Sequence, residues 1–333
     1  MMQVMLYVSR KNHNISGVEA ILAGLQDSHP HQLHIIDIDA GETLTKAYAE
    51  KAPMLDVGLY RMEKTFTREE IELAFSKAES KLQEAREKGN DVLVRRMTEP
   101  LRMSKTDLFS RWFSNHYMVL LNLFSFFYLF MAVMAPTLMK VGWERPAKVI
   151  YTVYRPLCHQ LAFRSFFLFG EQLVYPRELA GVEGFATYGE ATGFDENDLI
   201  TARQFLGNEV LGYKMALCQR DFAIYSAILL FGLIFSATGK KIKPLPWYLW
   251  LILGLGPIGL DGFSQLLSQI GLGIFDWLPI RESTPFLRAL TGGLFGLATA
   301  WFGFPYLEES VQENRREMQL KHSITEQIHS DQG

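Results

Sequence analysis

The hydrophobic pattern of this chain changes character near residue 115: short apolar clusters come before that point and long uninterrupted apolar runs come after it. In the first part, short apolar runs alternate with segments of helical periodicity, which predicts strands separated by amphipathic helices. The located elements are strands at 3–8, 32–38 and 52–58 and helices at 15–25, 44–50 and 68–87. The predicted order is β-α-β-α-β-β-α, in which the fourth strand, between the third strand and the last helix, is given no bounds of its own. This order indicates a small α/β domain over residues 1–88.

A basic segment follows this domain, and we predict that residues 89–115 form a juxtamembrane linker helix. Its basic side chains are Arg95, Arg96, Arg102, Lys105 and Arg111. Basic clusters beside an apolar run commonly contact anionic headgroups on the cytoplasmic face of a membrane. We therefore expect a lipid bilayer as a partner of the chain.

Four later runs are apolar and long enough to cross a hydrocarbon core of about 30 Å. They lie at 117–139, 222–239, 245–269 and 289–307. They predict an all-α four-helix transmembrane domain over 116–310, with an outer loop at 140–220 and a cytoplasmic tail at 311–333. Four crossings of the cell membrane place both termini in the cytoplasm, as the lysines at 240–243 also favour. Gly292, Gly296 and Ala300 recur every four residues, a spacing that allows a neighbouring helix to approach closely.

Composition narrows the function classes. A net charge of -3 and a pI near 6.3 give no reason to expect a nucleic-acid partner. With only 2 cysteines, a disulfide-dense scaffold and a four-cysteine zinc site are both excluded. The first residues lack the apolar core of a signal peptide. The small α/β domain and the all-α transmembrane domain together make the overall fold class α+β and multi-domain.

The order of elements in residues 1–86, with Pro53 at the start of the third strand, resembles the thioredoxin/glutaredoxin fold. The resemblance implies a cis peptide bond before Pro53. The redox motif of that fold would lie at 9–16, where the chain has no cysteine, so this domain cannot exchange thiols and disulfides. Two interpretations remain: a module that binds an extended segment of a protein partner at Pro53, and a docking or stability domain. His13 in that loop is expected to have no special role.

Polar residues fall at one depth of the predicted bundle. Asp261 and Gln265 share one helix face, Arg220 ends the second span on the outer side, and Arg288 begins the fourth span. Charged residues within spans usually face a cavity with partners, so we expect Asp261 to pair with Arg288 or Arg220. The complete set of binding candidates is Gln160, Arg164, Arg220, Tyr225, Asp261, Gln265 and Arg288.

These motifs resemble a bacterial and archaeal family of predicted membrane proteins of unknown function (domain of unknown function 2085), over about residues 151–306. The motifs are Cys158-His159-Gln160, Arg164-Ser165-Phe166, Cys218-Gln219-Arg220-Asp221, Ile224-Tyr225, the segment 257–262 with Gln265, and Arg288 with Thr291-Gly292. Many members carry a cysteine where this chain has Asp221. The resemblance implies no activity. Residues 171–216 read as an inserted outer loop with one short helix at 198–205.

The two cysteine motifs suggest a metal site. Cys158, His159, Cys218 and Asp221 offer two sulfurs, a nitrogen and a carboxylate, which suit tetrahedral Zn²⁺. Cys158 and His159 are adjacent in sequence, which makes it difficult for both to bind the same ion. The alternative for His159 is to hydrogen-bond to a metal ligand and not to the metal itself. A Cys158–Cys218 disulfide is the alternative, and redox catalysis is the third. The function is thus a binding or transport-like role, with a membrane-embedded enzyme, metal-dependent or of the thiol–disulfide oxidoreductase kind, as the second hypothesis.

Overall fold

The computed structural model describes residues 1–9, 11, 15–269 and 280–330. The chain forms two compact units: the first combines Met1–Asn115 with Val311–Gly333, and the second is His116–Ser310. Half of the loop at 9–16, where the redox motif of a thioredoxin fold would lie, is not among the described residues. His13, for which we predicted no special role, lies outside the described residues.

The first unit contains a sheet of four strands in the order β2-β1-β3-β4. Strand β1 is parallel to β2, with Leu6 opposite Ile35, and antiparallel to β3, with Leu6 opposite Leu55. The predicted order β-α-β-α-β-β-α is confirmed, and the Ala52–Pro53 peptide is cis, as expected. The bounds are β1 Met2–Val8, α1 Ser16–Gly24, β2 His31–Asp37, α2 Glu42–Tyr48, β3 Met54–Val57, β4 Tyr60–Glu63, α3 Arg68–Glu87 and α4 Asp91–Thr98.

Helix α3 begins where its sequence provides a capping box. The Thr67 hydroxyl accepts a hydrogen bond from the Glu70 backbone at 3.3 Å, and the Glu70 carboxylate accepts one from the Thr67 backbone at 2.7 Å. These bonds satisfy amide groups that a helix terminus leaves unpaired. Ile71, Phe75 and Ala78 then recur on one face of the helix and are fully buried in the core of the sheet.

The carboxy-terminal helix completes this unit. Helix α12, Pro285–Ser330, continues through the segment predicted as a cytoplasmic tail. Ile324 and Ile328 are buried there in one cluster with Tyr7 and Met54 of the sheet. The Asp37 backbone N–H donates to Gln327 Oε1 at 2.8 Å, and Gln327 Nε2 donates to the Asp37 carbonyl at 3.0 Å. An apolar stripe four residues apart within a polar segment explains this packing.

Three helices among the described residues are long and apolar enough to cross a membrane. They are α5 Lys105–Lys140, α9 Gln219–Ala237 and the stretch Trp247–Gln269, which consists of α10 Trp247–Leu249, a π-helical turn Trp250–Leu255 and α11 Gly256–Gln269. The fourth predicted span, 289–307, lies inside α12. This helix is long enough to cross a membrane, but it is not apolar enough to count among the three. The reason is that small and polar residues such as Gly292, Gly293 and Thr291 dilute its apolar character.

The close approach predicted for the glycines of α12 is confirmed. A Cβ atom on Gly296 would lie 2.2 Å from the carbonyl oxygen of Ile224, and one on Gly292 would lie 2.6 Å from that of Arg220. Both carbonyls belong to α9, so the two helix backbones are in contact where larger residues could not fit.

The segment predicted as an outer loop is a folded subdomain. It begins with α6 Glu144–Tyr154 and contains the short helices α7 Tyr188–Thr192 and α8 Leu199–Gln204. Helix α8 confirms the short helix predicted at 198–205. A sheet in the order β5-β7-β6, formed by β5 Ser165–Leu168, β6 Gly207–Asn208 and β7 Gly212–Cys218, leads directly into α9.

Candidate functional site

The structure brings both cysteines and one carboxylate together. Cys158 follows α6, Cys218 ends β7, and Asp221 lies in the first turn of α9. Their ligand atoms, two sulfurs and a carboxylate oxygen, all lie within 4.8 Å of one another. The Cys218 backbone N–H donates to Cys158 Sγ at 3.2 Å, and Cys218 Sγ donates to Asp221 Oδ2 at 3.1 Å. Both cysteines are free thiols in this arrangement.

Pairing of β5 with β7 holds the two cysteine motifs side by side, since Ser165 lies opposite Cys218. Between them, Gln160 adopts a positive φ of 53°, which is uncommon for a residue other than glycine. Its side-chain Nε2 donates to the carbonyls of Tyr151 and Ala216, both at 3.0 Å. Gln160, a predicted binding residue, thus ties the first motif to α6 and β7.

A fully buried lysine supports the same turn. Lys214 Nζ donates to the carbonyls of Gln160 and Arg203, both at 2.7 Å, and to that of Ala202 at 3.4 Å. Burial lowers the pKa of Lys214 to about 7, whereas three carbonyl acceptors stabilise the charged ammonium. Sequence inspection missed this residue because a lysine in a loop is usually exposed.

The two thiols differ in acidity. The hydrogen bond with Cys218 lowers the pKa of Cys158, while the same contact and burial raise the pKa of Cys218. Cys158 is therefore the first of the pair to become a thiolate, the form that binds metals.

Two of the predicted site residues stand apart from the converging group. His159 is exposed and is not among the residues whose ligand atoms meet, although it lies in the wall of the adjoining cavity. Tyr225 packs in an apolar cluster, with its ring centroid 4.5 Å from that of Tyr128, and does not line that cavity.

A cavity of about 260 Å³ adjoins the three converging ligands. Cys158, Cys218 and Asp221 form part of its wall. The rest includes three guanidinium groups, those of Arg164, Arg220 and Arg288, and the buried side chain of Gln265. Gln160 also lines the cavity, so five of the predicted binding residues are brought to one space from four separate parts of the chain.

Asp261 lies behind this wall, buried to 6% exposure. Its carboxylate pairs with Arg220, accepts from Arg281 Nη2 at 2.8 Å and accepts from Ser283 Oγ at 2.7 Å. Pairing with Arg220 is confirmed. Pairing with Arg288 was wrong, because Arg288 is held by a different carboxylate closer in sequence.

That carboxylate is Glu282, which sequence inspection missed. Its side chain is 2% exposed and pairs with Arg288, with Arg177 at 3.5 Å and with Arg164 through bonds of 2.9 and 3.1 Å. Burial by itself raises the pKa of Glu282, but the charges of Arg164 and Arg288 outweigh burial and lower the pKa. The signal in the sequence that could have pointed to Glu282 was its position as a single carboxylate shortly before the apolar run at 289–307.

Comparisons with known proteins agree with the membrane character of the second unit. A family described as "Predicted membrane protein (DUF2085)" matches residues 208–302, within the 151–306 over which the resemblance was noted. An uncharacterized protein of Methanocaldococcus jannaschii is 27% identical over 205 residues, which cover 59% of this chain and 95% of that protein. No solved structure matches the chain. The chain is thus similar to predicted membrane proteins of unknown function and has several apolar helices of its own.

Proposed function

We propose that this chain is a multi-pass protein of the cell membrane in which Cys158, Cys218 and Asp221 bind a divalent metal ion, with Zn²⁺ favoured. The convergence of their three ligand atoms within 4.8 Å, from two distant motifs, carries the proposal. Two thiolates and a carboxylate are ligand types that suit zinc. The Cys218 N–H on Cys158 Sγ is the kind of supporting hydrogen bond that orients a metal ligand.

The number of protein ligands bears on the role of the metal. Zinc sites with four protein ligands are structural, whereas sites with three leave a position for water or substrate. The described residues contribute three ligands beside a cavity, which supports a binding or transport-like role for the ion or its ligand. The same feature favours a metal-dependent membrane enzyme as the second candidate function.

Metal analysis of the purified protein tests the proposal. We expect about one zinc ion per chain, the number that a single site of this kind holds. In Asp221→Asn the metal affinity should fall by at least the roughly 10–100-fold that loss of a supporting partner behind a ligand costs, because Asp221 is itself a ligand. Cys158→Ser should lose the ion as well, because a hydroxyl is a poor substitute for a thiolate. Asp195→Asn, in an exposed loop of the same unit, serves as the matched control and should retain the metal.

Mass analysis of the unreduced protein covers the competing arrangement. A chain lighter by two hydrogens, with no metal and no free thiol, would show a Cys158–Cys218 disulfide and refute the metal site.

We further propose that both termini lie in the cytoplasm. Residues at the two ends of the chain belong to one compact unit, which supports an even number of membrane crossings. Three helices are apolar enough to cross the membrane, and an even number of crossings requires a fourth. We choose the start of α12 as this fourth crossing. Its close contact with α9 through Gly292 and Gly296 supports this choice, because small residues promote packing of membrane helices.

Cysteine labelling of intact cells tests this topology. In a background in which Cys158 and Cys218 are replaced by serine, a cysteine at position 195 should react with an impermeant reagent. A cysteine at position 241 should react only after the cells are opened, because the lysines around it favour the cytoplasm. Equal labelling of both positions in intact cells would contradict the proposed orientation.

For the first unit we infer a thioredoxin-like domain that has lost its redox function and recognises a protein partner. The strand order β2-β1-β3-β4 and the pairing directions support this inference. The chain has no cysteine in its first 157 residues, so the domain has no thiol of its own. An experimental structure with β1 and β2 antiparallel would rule it out.

A further inference from the structure

The arginines around the cavity outnumber their carboxylate partners. Asp261 pairs with Arg220 and Arg281. Glu282 pairs with three more arginines: Arg164, Arg177 and Arg288. Among the residues that the structure describes, five positive charges thus share two carboxylates in this cluster. Asp221 contributes one negative charge, whether alone with neutral thiols or with two thiolates around a divalent ion, so an excess of two positive charges remains.

Three of these guanidinium groups, those of Arg177, Arg220 and Arg288, have a buried Nε without a hydrogen-bond partner among the described residues, and those of Arg220 and Arg288 line the cavity. Arg288 is 4% exposed, and its Nε is buried without a partner among the described residues. The Nε of Arg220 is also buried and has no hydrogen-bond partner among the described residues. A buried donor without an acceptor is costly, and native proteins rarely tolerate one unless a water or ligand satisfies it. Both side chains lie in the wall of the cavity.

The cavity has room for a ligand that would supply the missing acceptors. Its volume of about 260 Å³ exceeds the roughly 30 Å³ that one water occupies in the liquid. Arg164, Arg220 and Arg288 present planar donor groups, whose geometry matches carboxylate and phosphate oxygens. Because an excess of two charges calls for a dianion, a phosphate group fits better than a carboxylate.

We infer that this cavity binds a phosphate group, free or as part of a monoester, through Arg164, Arg220 and Arg288. The inference deepens the proposed function, since it assigns the ligand class of the cavity in whose wall the metal ligands lie. Gln265 adds an amide beside the guanidinium groups, and the buried carboxylates Asp261 and Glu282 hold Arg220 and Arg288 in position from behind.

The chain contains two matched pairs of arginines for a test. Arg164 and Arg177 both pair with Glu282 and both lie over the ring of Phe163, at 5.6 and 5.3 Å from its centroid, but only Arg164 lines the cavity. Arg220 and Arg281 likewise share Asp261, and only Arg220 lines the cavity. Each pair separates loss of a ligand contact from loss of an ion pair.

Calorimetric titration of the full-length protein in neutral detergent with inorganic phosphate, at constant ionic strength, measures the affinity. Arg164→Gln and Arg220→Gln should each weaken phosphate binding about tenfold or more, as loss of a charge-assisted hydrogen bond to the ligand predicts. Arg177→Gln and Arg281→Gln should change it by about twofold at most, because screening limits the effect of a charge that does not touch the ligand. Equal weakening by both members of each pair, or no saturable binding to the unmodified protein, would overturn the inference.

Added phosphatidic acid, a lipid whose headgroup is a phosphate monoester and can carry two negative charges, identifies the source of the phosphate when binding is followed by native mass spectrometry. Retention of one lipid that free phosphate displaces and that Arg164→Gln abolishes indicates a lipid headgroup. Phosphate binding that the lipid leaves unchanged indicates a soluble phosphate compound. Either result supports the phosphate chemistry of the cavity.

Zinc content measured in the same samples separates this inference from the metal proposal. Cys158→Ser removes a metal ligand and no guanidinium group, so its phosphate affinity reports on the arginines alone. Phosphate binding without metal would support the inference while the metal proposal fails. One zinc per chain without phosphate binding would overturn the inference and leave the metal site intact.

Discussion

Replacing Glu282 by glutamine should destabilise the detergent-solubilised protein by about 3–5 kcal/mol, the usual effect of removing one member of a buried ion pair. Arg164, Arg177 and Arg288 all depend on this carboxylate, whose side chain is 2% exposed. A neutral amide accepts fewer and weaker hydrogen bonds and leaves three clustered positive charges to repel one another. Thermal unfolding followed by circular dichroism measures the change.

The matched control for this experiment is Glu183→Gln, which changes an exposed glutamate in the same unit and should shift stability by less than about 0.5 kcal/mol. The double substitution Glu282→Gln/Arg288→Met should recover part of the loss, because one of the unpaired buried charges is removed with it. A Glu282→Gln protein as stable as its parent would show that Glu282 does not hold these arginines together.

Replacing Asp261 by asparagine should cost a comparable amount, again about 3–5 kcal/mol. Its two arginine partners, Arg220 and Arg281, would lose their common carboxylate, and Ser283 would lose a charged acceptor. The informative measurement is a double-mutant cycle. Asp261→Asn and Arg220→Gln should be coupled by about 0.5–3 kcal/mol, as residues in direct contact are.

The corresponding cycle of Asp261→Asn with Arg288→Gln provides the contrast. Arg288 pairs with Glu282, so the two single losses should add to within about 0.5 kcal/mol. Stronger coupling of Asp261 to Arg288 than to Arg220 would restore the pairing expected from sequence and contradict the observed arrangement.

The local pattern of the sequence was enough to predict most elements. Alternation and helical periodicity predicted the β-α-β-α-β-β-α order of the first unit, and Thr67 with Glu70 marks the start of α3. Long apolar runs predicted the three helices that meet the criterion for membrane crossing. These features depend on neighbours within a few residues, so the chain by itself contains the information.

The sequence also indicated which residue types would gather, though with less detail. The two cysteine motifs carried enough unusual polar residues to predict that Cys158, His159, Cys218 and Asp221 would meet. The ligand atoms of Cys158, Cys218 and Asp221 do converge, and His159 is not among them. The glycine spacing in α12 predicted close contact with another helix, but only the structure identified α9 as that helix.

Partner choice was decided by the tertiary structure. Whether Asp261 or Glu282 receives Arg288 depends on where the segment before α12 places Glu282, which no periodicity encodes. The burial of Lys214, and of Ile324 and Ile328 against the first sheet, likewise depends on contacts between residues far apart in sequence. A side chain's charge and hydrophobicity are properties of the residue, whereas the free energy of an ion pair or a buried contact depends on distance and on exclusion of water. The sequence alone therefore determined the elements and the stock of charged and metal-binding groups, while the tertiary structure decided which of those groups meet.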